Sequence, residues 1–237
     1  MNRIRVREWS SFGKAHLSSE VGYLSSEVGY LSCLLGRAPV QRSRKPRPAY
    51  STPFREIFPS IIFFHCIVAA GDGSGESMFV DGFKIAEVLR EQDPDAFDLL
   101  TRYEVCFRKD DGDQIHMEAY SPIITVDHHG NVTNVHINNL FAAPFDLPEE
   151  IVEPFYMALR RLTQLYTDSN YWLTIGLRPG DLVVFDNHRL LHGRTAIGTQ
   201  NLHRHLRHCY VERDYLYSPL RVLARRLGGM VCKAAHL

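Results

Sequence analysis

The sequence lacks net charge, long apolar runs and paired cysteines. Its 27 lysines and arginines balance 27 aspartates and glutamates, so no general field attracts nucleic acid or an anionic membrane. No apolar run approaches the roughly 20 residues that a membrane-spanning helix needs. The five cysteines form no CxxC pair, which argues against a disulfide framework or a zinc site and favours a reducing compartment. We therefore predict neither nucleic-acid nor membrane partners.

Histidine is the unusual component, with 12 residues in a chain of 237. The hydrophobic content of 45% and the charged content of 23% are those of an ordinary globular protein. The length suits one large domain, or one domain with a short appendage. The main question that the composition raises is whether the histidines indicate a metal site.

Residues 1–52 differ from the rest of the chain. We predict a disordered N-terminal segment there, a folded domain at residues 53–230 and a tail at residues 231–237. The heptapeptide LSSEVGY occurs twice in tandem, over residues 17–30. A seven-residue period is typical of coiled coils, but two copies are few and each contains a glycine, so we interpret the repeat as a duplication without a packing role. The basic residues 42–48 are interpreted as a solvated linker rather than a nuclear-localisation or nucleic-acid patch.

From residue 53 the pattern alternates short strands with a few helices. Helical spacing of apolar residues predicts helices at residues 82–89, which Asp81 can cap, and at 94–100 and 148–166. Apolar, β-branched and aromatic runs predict strands at residues 60–68, 78–80, 105–107, 123–126, 132–137, 182–185, 189–194 and 205–211. Many short strands with outer helices favour a mainly β fold with flanking α-helices, arranged as a double-sheet jelly roll.

The best-defined candidate site lies in residues 179–194, which have the sequence PGDLVVFDNHRLLHGR. They predict two strands that reverse at Asp186 and Asn187, with His192 near the end of the second and Arg204 opening the next strand. If these strands are adjacent and antiparallel, both side chains reach one mouth of the barrel. There an imidazole can bind a metal and a guanidinium can grip a carboxylate. Without the surrounding motif, a core histidine and a surface arginine would be the better interpretation.

Residues 179–194, followed by Arg204-His-Leu, resemble the C-terminal signature of the TauD/TfdA-type Fe(II)/2-oxoglutarate-dependent dioxygenases. By its motifs the chain is most similar to the gamma-butyrobetaine dioxygenases, with the trimethyllysine dioxygenases as near relatives. The resemblance covers about residues 53–228 and implies a double-stranded β-helix, here expected to be N-terminally incomplete. It also implies Fe(II), 2-oxoglutarate as cosubstrate, and ascorbate. The other segments that match in order are residues 64–66, 80–83, 138–139, 154–156 and 218–223.

The resemblance implies a role for three residues around the metal and the cosubstrate. His192 matches the distal metal histidine of the family. Arg204 matches the arginine that pairs with the far carboxylate of 2-oxoglutarate, and Ser77 matches a hydroxyl that hydrogen-bonds the same cosubstrate.

The implied substrate is a small molecule with a trimethylammonium group, as in carnitine biosynthesis. Tyr210 matches an aromatic residue that packs against this group, which has no N–H and is best held by a cation–π contact. Asn138 and Asn139 match polar substrate contacts. A homodimer and a cytoplasmic location are further expectations, with the mitochondrion as the alternative compartment. An arginine- and serine-containing N-terminus resembles a transit peptide, although its glutamates weaken that interpretation.

The sequence departs from the family at the first two metal ligands. The family has a His-x-Asp pair just before the first predicted strand, where this chain has Ala49 and Ser51, and no His-x-Asp occurs elsewhere. His116 and Glu118 form a His-x-Glu pair that would share a face of a strand. A rewired site of these two residues with His192 is a minor hypothesis, because the pair matches a peripheral part of the family's sequence.

The sequence thus supports two functions from different classes. The first is an Fe(II)/2-oxoglutarate-dependent hydroxylase, which in this family converts 2-oxoglutarate to succinate and CO₂ while a C–H bond of the substrate is hydroxylated. The second is a catalytically inactive protein that keeps a cosubstrate-like pocket and acts as a binding or interaction module. One histidine alone does not hold Fe(II) at useful affinity, so the missing His-x-Asp pair separates the two.

Overall fold

The computed structural model describes residues 59–112, 114–138, 141–196 and 204–227. The tandem repeat, Ala49, Ser51 and Asn139 lie outside these residues, as do the whole predicted N-terminal segment and the whole predicted tail. The described helices are α1 (Gly82–Gln92), α2 (Pro94–Arg102), α3 (Glu149–Thr167) and α4 (Arg213–Arg226). The described strands are β1 (Ile61–Val68), β2 (Ser77–Asp81), β3 (Glu104–Asp110), β4 (His116–Pro122), β5 (Ile124–Val126), β6 (Val132–Val135), β7 (Leu173–Ile175), β8 (Leu182–Asp186), β9 (Leu190–Arg194) and β10 (His205–Val211).

Two antiparallel three-stranded sheets lie face to face. One has the order β10-β1-β8 and the other the order β7-β2-β9. The ring of Phe185 on β8 lies 5.1 Å, between centroids, from that of Phe79 on β2. A small apolar cluster built on these two residues and Ile62 joins the inner faces of the sheets.

The larger core lies between the helices and the β-structure around them. Helix α1 starts at Gly82 because the Asp81 carboxylate accepts hydrogen bonds from the backbone N–H groups of Phe83 and Lys84. The amide of Gly82 also donates to the carbonyl of Arg189 at 2.8 Å, so a Cβ at this position would lie 2.8 Å from the same oxygen. This close approach ties α1 to the turn before β9.

Helix α3 covers the same core with a stripe of apolar side chains. Phe155, Ala158, Leu162 and Leu165 are buried, at the three- and four-residue spacing of one helix face. The two-stranded sheets β3-β4 and β5-β6 complete this part of the molecule. In the residues that the structure describes, no helix is both long and apolar enough to cross a membrane.

The predicted strands and helices are all present, and His205–Val211 has the predicted bounds. The sequence reasoning did not predict β7 or helix α4, and it considered β4 only as the setting of His116 and Glu118. The expected adjacency of the strand of His192 and the strand that Arg204 opens is wrong. β9 pairs with β2, and β10 pairs with β1 in the other sheet.

Candidate active site

The candidate site lies between the inner faces of the two sheets. Arg204 precedes β10 in one sheet, and Ser77 begins β2 in the other. The guanidinium Nη2 of Arg204 lies 3.4 Å from the hydroxyl Oγ of Ser77. His192 is on β9, where it pairs with Phe79, two residues along β2 from Ser77. The structure therefore brings the three residues to one interior. Ser77 and His192 come from neighbouring strands of one sheet, and Arg204 comes from the other sheet.

Arg204 carries a positive charge into a partly buried position. Burial and the nearby charge of Arg194 lower the pKa of Arg204 from its usual value, although an arginine stays protonated under any ordinary condition. The described groups whose charges contribute to this shift are Arg194 and Cys66. Such a guanidinium can form two parallel hydrogen bonds to a carboxylate brought by a ligand.

Aromatic rings surround the His192 imidazole. Its ring centroid lies 5.5 Å from that of Phe64 on β1 and 5.1 Å from that of Phe185 on β8. Removal from water, with a smaller contribution from His208, lowers the pKa of His192 to about 4. The imidazole is therefore neutral at pH 7, which is the form that ligates metals or accepts a hydrogen bond.

His208 is a residue of this interior that the sequence reasoning missed. On β10 it lies two residues from Tyr210, with 5.4 Å between the ring centroids, and it pairs with Phe64. Burial lowers its pKa as well. Alternation along the strand could have found it, because Arg204, His208 and Tyr210 are separated by even numbers of residues and so share a face.

The predicted substrate-contact residues are placed as follows. Tyr210 packs against the small inter-sheet cluster that contains Ile62 and Phe185, at the far end of β10 from Arg204. Asn138 is buried, and its carbonyl accepts hydrogen bonds from the backbone N–H groups of Phe141 and Ala142. Asn139 lies outside the described residues.

His116 and Glu118 are engaged in a different sheet. On β4, Glu118 accepts a hydrogen bond from Arg108 on β3 and lies 3.2 Å from the Nε2 of His116. Asp110 approaches the other nitrogen of His116 at 3.3 Å. No group of three or more histidine, cysteine, aspartate or glutamate residues in the described part of the chain is arranged to hold a metal ion. The structure thus does not assemble the hypothetical site of His116, Glu118 and His192.

Comparison with known proteins agrees with the motifs and the fold. The sequence model of the family "Taurine catabolism dioxygenase TauD, TfdA family" matches residues 38–210. The chain belongs to this family. TauD/TfdA dioxygenases are Fe(II)- and 2-oxoglutarate-dependent oxidoreductases.

Curated relatives of this TauD/TfdA protein include two gamma-butyrobetaine dioxygenases. The protein from Pseudomonas sp. (strain AK-1) is 39% identical over 173 residues, which are 73% of this chain and 45% of the relative. The human protein is 36% identical over 174 residues, which are 71% of this chain and 44% of the relative. A trimethyllysine dioxygenase from Meyerozyma guilliermondii is 31% identical over 70% of this chain and 41% of its own length. The chain therefore spans less than half the length of these relatives.

Solved structures confirm the jelly-roll fold of the family. An asparagine oxygenase in complex with Fe(II), hydroxyasparagine and succinate aligns with a TM-score of 0.54 and 20% identity, over 70% of this chain and 49% of that one. A taurine dioxygenase from Burkholderia xenovorans aligns with a TM-score of 0.55 and 10% identity, over 74% of this chain and 60% of that one. At these identities the similarity concerns the fold alone.

By themselves, the described residues do not fit the iron of a TauD/TfdA dioxygenase. Two histidines and one carboxylate form the facial triad of non-haem Fe(II) oxygenases. The described residues offer no such group, and the sequence contains no His-x-Asp pair. Within the described part of the chain, the predicted metal histidine His192 has the rings of Phe64 and Phe185 as neighbours.

Proposed function

We propose that this chain binds 2-oxoglutarate, or a dicarboxylate of the same length, in a site of the gamma-butyrobetaine-dioxygenase type, and that it does so without Fe(II). The approach of the Arg204 guanidinium to the Ser77 hydroxyl at 3.4 Å supports this proposal. The two groups come from opposite sheets of the sandwich, and together they offer several N–H donors and one O–H donor to a single carboxylate. A charge-assisted, two-point contact of this kind is among the stronger polar interactions in proteins.

The surroundings of Arg204 favour an anionic ligand. Its charge is partly removed from water, and Arg194 adds a second positive charge nearby. Partial burial of a cation is costly, so a ligand carboxylate that approaches the guanidinium relieves that cost.

Hydroxylation of a trimethylammonium substrate is the second candidate function. The identity of 39% to a gamma-butyrobetaine dioxygenase and the position of Tyr210 beside the inter-sheet cluster favour it. A ring face suits a quaternary ammonium group. This reaction needs metal ligands that the described residues do not supply, so we assign it lower rank than binding. A homodimer belongs to the same candidate. So does the choice of compartment, with trimethyllysine dioxygenases of chicken and cattle named as mitochondrial.

Calorimetric titration of the chain with 2-oxoglutarate, with and without Fe(II) under anaerobic conditions, tests the proposal. We expect the same affinity in both titrations and a loss of at least about tenfold in Arg204→Lys, since lysine keeps the charge but not the planar pair of donors. Arg207→Lys is the matched control, because Arg207 is an exposed residue of the same strand and lies on its other face. Equal affinity of the wild type and Arg204→Lys would overturn the proposal.

An assay of succinate formation separates the two candidates. The chain is incubated with Fe(II), ascorbate, 2-oxoglutarate and gamma-butyrobetaine. We expect no succinate above the level without enzyme. Succinate formation that gamma-butyrobetaine stimulates and His192→Ala abolishes would instead establish the hydroxylase and refute a function limited to binding.

A further inference from the structure

Ser77 has arginines on two sides, one from each sheet. Arg194 on β9 is directly opposite Ser77 in the antiparallel register of β2 and β9. Residues in this relationship place their side chains on the same face of the sheet, with Cβ atoms about 4.5–5.5 Å apart. From the other sheet, the Nη2 atom of Arg204 lies 3.4 Å from the Ser77 hydroxyl. Two arginine side chains therefore lie next to one hydroxyl group.

Arg194 belongs to the inner face of its sheet. Side chains two residues apart on a strand point to the same side, so Arg194 shares a face with His192, and Ser77 shares one with Phe79. Phe79 is part of the apolar cluster between the sheets, and the ring of His192 lies 5.1 Å from that of Phe185 in the opposite sheet. Arg194 is the last residue of β9, and it therefore lies at one end of this interior.

The positive charges of the two arginines act on each other. Burial, and after it the charge of Arg194, lower the pKa of Arg204. The guanidinium of Arg194 itself donates to the carbonyl of Thr195 at 3.4 Å, which is longer than the usual range for such a bond. A ligand can displace so weak a contact at little cost. An anion placed between the two guanidinium groups would offset their mutual repulsion.

The exposure of the three side chains increases from Ser77 to Arg194. Ser77 has 2% of its surface exposed, Arg204 is partly buried and Arg194 is exposed. A ligand group at this position therefore meets buried donors on one side and solvent on the other. An oxygen atom on the solvent side keeps part of its hydration, which lowers the cost of bringing in a second negative charge.

A carboxylate uses only part of what these side chains offer. It carries a single negative charge, and Arg204 and Ser77 together can supply hydrogen bonds to both of its oxygen atoms. A phosphoryl group has three acceptor oxygens and a charge of about −1.5 to −2 at pH 7, and guanidinium groups bind it in two-point contacts. The third oxygen and the additional charge of such a group match the position of Arg194.

We propose that Arg194 adapts this end of the site to a phosphoryl group, so that the chain binds a 2-oxo acid with a terminal phosphate more tightly than 2-oxoglutarate. The inference rests on the proposed function, because Arg204 and Ser77 hold the far end of either ligand. A three-carbon 2-oxo acid phosphorylated on its terminal oxygen has the required length. Its phosphorus atom lies as many bonds from the oxo carbon as the far carboxyl carbon of 2-oxoglutarate does.

Calorimetric titration of the full chain in phosphate-free buffer, without added metal, compares 2-oxoglutarate with 3-phosphohydroxypyruvate. We expect the wild type to bind the phosphorylated ligand at least about tenfold more tightly. Arg194→Gln should remove most of this difference and change the affinity for 2-oxoglutarate by less than about threefold, because an exposed charge is largely screened. Arg207→Gln is the matched control. It removes the same charge from the other face of β10 and should preserve the difference.

The outcomes separate this inference from the proposed function. Equal affinity of the wild type for the two ligands would overturn the preference for a phosphoryl group. If Arg194→Gln weakened both ligands by the same factor, Arg194 would be a general source of positive charge, and the inference would also be wrong. The proposed function fails on a different result, an affinity for 2-oxoglutarate that does not depend on Arg204. Urea unfolding of each variant shows whether the domain keeps the stability of the wild type.

Discussion

The Nη2 atom of Arg204 lies 3.4 Å from the Oγ atom of Ser77, although 127 positions separate the two residues in the sequence. Arg204 leads into β10 and Ser77 begins β2, and these strands belong to different sheets. The contact therefore exists only because the sheets stack face to face. Side by side, the guanidinium and the hydroxyl can donate hydrogen bonds to one carboxylate. The predictions about ligand binding rest on this arrangement.

Ser77→Ala should weaken the binding of 2-oxoglutarate by at least about tenfold without unfolding the domain. The substitution removes one O–H donor from the carboxylate site but leaves Arg204 in place, and a single hydrogen bond to a charged group contributes about 1.5–3 kcal/mol. The side chain is buried, and alanine fits the space of serine. Titration calorimetry measures the change. Ser74→Ala, in the preceding exposed loop, is the control, and an affinity of Ser77→Ala equal to that of the wild type would contradict a role in binding.

Restoring the family's metal ligands should create metal affinity. The double substitution Ala49→His/Ser51→Asp adds an imidazole and a carboxylate at the positions where the family has them. We expect Co(II), a spectroscopic substitute for Fe(II), to bind at least about tenfold more tightly to this variant than to the wild type, because three ligands replace one.

Adding His192→Ala to that variant should remove the gain, since His192 is then the third ligand. Visible absorption of the bound Co(II) follows each titration. Binding to the double variant that does not depend on His192 would show that the new ligands do not meet this histidine in the folded protein.

The stability of the domain should fall as the pH decreases below about 6.5, in part because of His136. This imidazole is buried beside Ser121, whose Oγ lies 2.9 Å from its Nδ1. Burial, aided by the nearby His188, lowers the pKa of His136 from 6.5 to about 3. The unfolded chain therefore binds a proton more readily than the folded domain between these pH values. The stabilisation is complete above pH 6.5 and is lost as the pH falls towards 3.

Urea unfolding at pH 7, 6 and 5 tests this dependence. In His136→Gln the slope of the unfolding free energy against pH should decrease by up to about 1.4 kcal/mol per pH unit, the value for one proton. The variant is expected to be less stable than the wild type at pH 7, so only the slopes are compared. Parallel curves for the two proteins would show that His136 does not contribute.

Asp81 should stabilise the domain through two separable contacts. It caps α1 through the N–H groups of Phe83 and Lys84, and its Oδ2 lies 2.8 Å from the Nη2 of Arg189. Asp81→Asn keeps the cap and loses only a largely solvent-screened ion pair, so it should cost less than about 1 kcal/mol. Asp81→Ala loses both contacts and should cost about 1–2 kcal/mol. Thermal or urea unfolding measures both, and equal costs would contradict a capping role.

Local elements were predicted well because their signals are local. Asp81 before a helical pattern, and the apolar stripe of α3 built on Phe155 and Leu162, involve residues within a few positions of one another. The three-residue strand β7 offers little pattern to detect. Helix α4 buries none of its residues fully. Its leucines therefore do not form the buried apolar stripe by which a helix of the core is predicted.

The site was predicted in its members but not in its assembly. His192, Arg204 and Ser77 were recognised by motif, whereas the expected pairing of their strands was wrong, because β9 and β10 join different sheets. Which distant strands pair depends on the order of all the strands within the sheets. A local sequence pattern does not specify that order. His208 was missed although the alternation along β10 places it on the face of Arg204 and Tyr210. Its neighbours Phe64 and His192, in contrast, lie on other strands.

By itself, the sequence determined the family of this protein, its mainly β architecture and the absence of a His-x-Asp pair. These follow from residue identities and short-range spacing. Only the tertiary structure decided that Arg204 meets Ser77 across two sheets, that aromatic rings enclose His192, and that the leucines of α4 remain open. The physical reason is that each of these is a contact, or a missing contact, between segments far apart in the chain. Such contacts are set by the packing of whole layers rather than by neighbouring residues.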